Sequence, residues 1–99
     1  MLKHARYNKD TFGWFFVNKK RDDLVGYIGC EGDTVIALEV SNQYEGRGYA
    51  SRLLKLAQSR GANRLSVDKD NTHAIEVYKH LGYKEYDSDD KMIYMKINH

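Results

Sequence analysis

Residues Asp33 to Ala57 read DTVIALEVSNQYEGRGYASRLLKLA, and the hydrophobic period changes inside this stretch. Asp33 to Val40 is an apolar, β-branched run with the character of a strand. Ala50, Leu53, Leu54 and Ala57 then recur at i, i+3, i+4 and i+7 with Arg52 and Lys55 between them, the pattern of an amphipathic helix. A strand therefore runs into a helix through Gln43-Tyr44-Glu45-Gly46-Arg47-Gly48-Tyr49-Ala50. The glycines let backbone approach a ligand closely, and a helix start offers free N–H groups and a positive dipole end, which together suit a pyrophosphate. The same glycines also satisfy a tight strand-to-helix connection that binds nothing.

Upstream, Thr11 to Lys20 is rich in Phe, Trp and Val and predicts a strand, with Lys19 to Asp23 as the turn after it. Leu24 to Cys30 predicts a second strand, joined to Asp33–Val40 by the tight turn Glu31-Gly32-Asp33. Downstream, Gly61 closes the first helix and Asn63 to Asp68 resumes as a strand through Leu65 and Val67. Asn71 or Thr72 caps a second helix whose apolar face is Ala74, Val77, Tyr78 and Leu81, and Gly82 stops it. Tyr83–Tyr86 and Met92–Ile97 close the pattern around the acidic turn Asp87 to Asp90. The predicted order is three strands, helix, strand, helix, two strands.

With 99 residues, no proline and no repeat, the chain predicts a single domain over residues 1–99. Lys and Arg number 16 against 14 Asp and Glu, an excess too slight to make a basic stripe for nucleic acid. Cys30 is alone, so no internal disulfide or paired-cysteine metal site is expected, and a reducing compartment is the simplest reading. No stretch approaches the roughly 18 apolar residues of a membrane helix, and the first twenty lack a signal peptide's apolar run, so a cytoplasmic protein with no membrane partner is expected. His73 and His80 flank the apolar stripe of the second helix and read as solvated residues, so no metal is implied. Cys30 has no assigned base and reads as a small residue ending a half-buried strand.

Gln43, Gly46 and Gly48 stand where the GNAT superfamily has its signature: Gln or Arg, two residues, Gly, one residue, then Gly or Ala, after a strand and opening a helix. The run NTHAIEVYKHLGY from Asn71 to Tyr83 resembles the family's second motif, with its Asn, Ala-Ile pair, Tyr and closing Gly-aromatic. The resemblance covers about residues 24 to 97 and implies an α+β (α/β) fold, a mixed, mostly antiparallel sheet flanked by two main helices. It implies an acetyl-CoA-dependent N-acetyltransferase acting on an amine acceptor. By the same resemblance, the backbone of Leu38 to Val40 pairs with the pantetheine arm, and the amides around Tyr44, Glu45, Gly46, Arg47, Gly48, Tyr49 and Ala50 hold the pyrophosphate. Asn71, Ala74 and Tyr78 are expected at the cofactor, Tyr78 as the acid that protonates the departing thiolate. Core packing is the alternative role for Tyr78, and helix capping for Asn71.

The base is expected at Glu39, whose side chain points away from those of Leu38 and Val40; solvent is its alternative environment. Relatives that carry a Glu on the strand before the second motif have it where this chain has Ser66. Glu31 and Asp33 at the hairpin are further candidates for the base; Asp87, Asp89 and Asp90 read as a soluble turn, with attraction of a cationic amine as the alternative. Relatives also carry more chain before the strand at Leu24, so an abbreviated acceptor wall is expected, completed by a bulky acceptor or by a second subunit in a homodimer, or else left open and weakly selective. A non-catalytic acetyl-CoA sensor or regulatory subunit is the rival function. A dinucleotide site is disfavoured, although Gly46, Gly48, Ser51 and Asp68 imitate its fingerprint, because the loop follows the third predicted strand and the strands before it are hairpins.

Overall fold

Phe12, Trp14 and Phe16 are buried and alternate with Thr11, Gly13 and Phe15, so the period of two lays an aromatic row on one sheet face. In the computed structural model, which describes residues 2–6 and 11–98, this row belongs to the second of seven strands. The elements are β1 (Leu2–Arg6), β2 (Thr11–Asn18), β3 (Asp23–Glu31), β4 (Thr34–Val40), α1 (Tyr49–Ser59), β5 (Arg64–Asp68), α2 (Thr72–His80), β6 (Lys84–Ser88) and β7 (Met92–Lys96). They form two compact units, one up to Ala62 and one from Asn63.

In the first unit β1 to β4 make an antiparallel meander, and α1 packs against β2, β3 and β4. Trp14, Ile28 and Leu38 share a register row, as do Phe16, Gly26 and Val40. Leu53, Leu54 and Ala57 of α1 are buried, and the Phe16 ring meets Tyr49 at 5.6 Å between centroids. The expected helix and its three preceding strands are all present, and β1 adds a fourth that the sequence pattern did not mark. Lys-His-Ala at its centre has neither alternation nor β-branching to signal a strand.

In the second unit β7 lies between β5 and β6, antiparallel to both. Leu65, Val67, Tyr83 and Met95 are buried, whereas β6 is exposed along its length. Both helices end alike. The Ala62 amide donates to Ala57 and that of Gly61 to Gln58; the Tyr83 amide donates to Tyr78 and that of Gly82 to Lys79. These 6→1 and 5→2 pairs are Schellman closures, and they require the left-handed φ of 87° at Gly61 and 101° at Gly82. Among the described residues no helix is long and apolar enough to cross a membrane.

Candidate functional site

The strand-to-helix connection is built from three parts. A 3₁₀ turn, Asn42–Tyr44, follows β4, and within it the Tyr44 amide donates to Ser41 and that of Glu45 to Asn42. Gly46 and Gly48 then take φ of 75° and 84°, and nothing lies within 4 Å of where a Cβ would stand on either. Finally α1 starts at Tyr49 with no side-chain cap, its first intrahelical bond running from the Arg52 amide to Gly48. The amides from Gly46 to Ser51 thus reach an uncovered helix N-terminus with no acceptor among the described residues, while those of Tyr44 and Glu45 are already used. The loop presents donors and a positive dipole end to a space free of side chains, which is what an anionic group requires.

Side chains of the loop hold it in place. Tyr44 is buried; its hydroxyl donates to Asp23 at 3.3 Å and accepts from the Asn18 amide at 3.2 Å. The Gln43 side chain donates to the same Asp23 carboxylate at 3.3 Å, and Arg21 pairs with it at 3.3 Å. Arg47 is exposed and lies over the Tyr44 ring at 5.7 Å. Asn18 and Asp23 went unnoticed in the sequence because no linear spacing links the β2–β3 turn to a loop 20 to 26 positions away.

Glu39 is exposed and accepts the Tyr27 phenol at 3.0 Å, on the opposite side of β4 from Leu38 and Val40. A bulge creates this pair. The register runs Cys30↔Val35 and then Gly29↔Ala37, so Ile36 is skipped and Tyr27 falls opposite Glu39, where an unbroken hairpin would put Leu38.

In the second unit Asn71 caps α2 by accepting the Ala74 amide at 3.3 Å, which is the capping role of the two considered for it. Ala74, Val77, Tyr78 and Leu81 lie on one half-buried face. The Tyr78 ring meets Tyr83 edge-on at 6.0 Å, and burial first, then the neighbouring Tyr83, raises its pKa above the usual 10.0. Tyr78 is therefore a neutral phenol at physiological pH, with a proton to give. Ser66 is exposed on β5, and His73 and His80 are exposed on α2. Cys30 is buried, and burial pushes its thiol up to about 11. Asp89 organises the β6–β7 turn, accepting the Lys91 and Met92 amides and the Tyr94 hydroxyl, the last at 2.7 Å.

Solved structures of several acetyltransferases resemble this one. A nourseothricin acetyltransferase matches with TM-score 0.73 and 24% identity, over 89% of this chain and 65% of its own. The PaiA N-acetyltransferase of Thermoplasma acidophilum, solved with coenzyme A, matches with TM-score 0.71 and 21% identity, over 90% of this chain and 60% of its own. NAA60 of Arabidopsis thaliana, solved with a bisubstrate analogue, matches with TM-score 0.69 and 19% identity, over 91% and 77%. The chain thus spans less than two thirds of the length of the first two, and the likeness fixes the fold, α+β with strands flanked by two helices. No curated protein matches it. The model of the acetyltransferase (GNAT) family matches residues 2–83, with the glycine loop and the whole of the second motif inside that span. The chain belongs to the acetyltransferase (GNAT) family.

Proposed function

We propose that residues 1–99 act as one acyl-CoA-binding domain, that the protein is a cytoplasmic N-acetyltransferase, and that it moves an acetyl group from acetyl-CoA to an amine. The observation that carries this reading is the Gly46–Ser51 run of free amides at the uncapped start of α1. Its geometry fits a pyrophosphate, since Gly46 and Gly48 leave open the space that any side chain would fill. Gln43 and Tyr44, tied to Asp23, keep the loop in that shape. Leu38 to Val40, at the end of β4 that leads into the glycine loop, are the backbone proposed for the pantetheine arm.

When bound, acetyl-CoA supplies a thioester, an acyl group already activated toward an amine. Glu39 is the proposed base: its carboxylate is exposed, fixed through one oxygen by Tyr27, and able to take a proton from the acceptor directly or through water. The amine then attacks the thioester carbonyl, and the Leu38 or Glu39 amide polarises that oxygen. Tyr78 gives its proton to the departing thiolate; the bond broken is C–S, the bond formed is C–N, and no acyl group passes through the enzyme. Cys30, buried and held in its thiol form, takes no part.

Tyr78→Phe and Glu39→Gln test these roles. An enzyme of this kind keeps its affinity for acetyl-CoA in both variants while turnover falls about 100-fold, the usual scale for losing a positioned acid or base. Unchanged turnover in Tyr78→Phe removes the acid role. Binding without thiol release in the parent protein, across amines and lysine peptides, identifies a sensor instead.

A further inference from the structure

A cavity of about 800 Å³ lies within the first unit, between one flank of α1 and the β2–β3 hairpin, and of the Gly46–Ser51 run only Tyr49 lines it. Phe16, Val25 and Leu56 make its floor. Lys19, Lys20, Arg52 and Lys55 line it, and no carboxylate among the described residues does. None of these four cations makes an ion pair among the described residues. Arg52 lies over the Phe16 ring at 4.8 Å and over Tyr49 at 5.5 Å, so the guanidinium is held by two aromatic rings and has no hydrogen-bond partner among the described residues.

Four cations around one hollow repel each other, and that repulsion is relieved by a ligand with several negative charges. The cations come from two elements, the hairpin end and successive turns of α1, so they converge only because the chain folds this way. A fixed guanidinium favours two-point recognition of phosphate, and the lysines add mobile charge around it. The apolar floor would be wasted on a bare inorganic anion, and the volume lies within the range of small-molecule sites. The glycine-loop amides are at the N-terminal tip of α1, whereas this hollow runs along its flank as far as Ser59.

We propose that this cavity is a second ligand site, which binds a small organic polyphosphate through Lys19, Lys20, Arg52 and Lys55 and seats its apolar body on Phe16, Val25 and Leu56. The proposal stands apart from the acetyl-CoA reading. ATP serves as the probe and tripolyphosphate as its control without an apolar body, titrated by calorimetry with and without saturating CoA. The expected result is one ATP site that persists in CoA, weakens with added salt, and binds tripolyphosphate less tightly. In the folded triple variant Lys19→Gln, Lys20→Gln, Lys55→Gln, ATP affinity falls by about tenfold or more, while acetyl-CoA affinity is kept. Arg52→Gln gives a second, independent loss. No ATP binding, stoichiometric displacement of ATP by CoA, or unchanged ATP binding in both variants would overturn the proposal. Equal binding of tripolyphosphate would overturn the role of the apolar floor. Acetyl-CoA titrated separately shows whether the cofactor reading has failed with it.

Discussion

At the scale of single residues, burial decides what chemistry is accessible. Cys30 has no exposed surface and its thiol is pushed up to about 11 from an ordinary 9.0, so it is a poor nucleophile in the folded state. A disulfide reagent is expected to leave the native protein unmodified and to consume one equivalent on unfolding; fast reaction of the native protein would contradict this. Burial likewise raises Tyr78, and the sign of the linkage follows. Both groups resist ionisation in the fold, so their contribution to stability is complete below pH 9.0 and is lost as the pH rises through the raised folded values. A melting temperature that holds through neutral pH and falls above 9 is the expected profile, and Cys30→Ser flattens its first part. The roles of residues were less legible than their positions. Tyr44 looks like a cofactor contact in a motif, yet it is a buried anchor because Asn18 and Asp23, remote in sequence, reach its hydroxyl. Alternation marks Glu39 as facing away from Leu38 and Val40 and leaves a cleft and solvent both open, and its partner Tyr27 depends on a bulge at Ile36 that no residue type announces.

At the scale of elements, the termination signals carry most of the information. Gly61 and Gly82 were readable as helix stops because each follows an amphipathic run, and both occupy the left-handed position of a Schellman closure. They differ in surroundings: a Cβ on Gly61 meets open space, whereas one on Gly82 comes within 3.3 Å of Ile97 Cδ1. Gly61→Ala is therefore expected to cost about 1 kcal/mol from backbone strain alone, and Gly82→Ala more. Chemical denaturation of the two variants measures the order, and a larger loss at Gly61 would contradict the account. The strand β1 escaped notice because Leu2–Arg6 carries no alternating pattern and takes its conformation from pairing with β2. The helix α2 shows the converse. Its period places the apolar face at Ala74, Val77, Tyr78 and Leu81, and that face is half-buried with none of its residues in the core.

At the scale of the whole molecule, membership of the acetyltransferase family is legible from two short motifs, because each couples a glycine with a helix boundary in a fixed spacing. The acceptor was not legible, since nothing in a strand-and-helix pattern specifies which amine is recognised, and the basic hollow beside α1 was not, since its four cations come from separate segments. The central claim is that the amides from Gly46 to Ser51 hold the pyrophosphate of acetyl-CoA. Calorimetric titration of the protein with acetyl-CoA, beside the Gly48→Ala variant, tests it most directly. A left-handed φ of 84° and a methyl group in the donor cradle should weaken binding by about tenfold, near 1.4 kcal/mol, in a variant that still folds. No binding to the parent protein, or equal binding to both, would contradict the account.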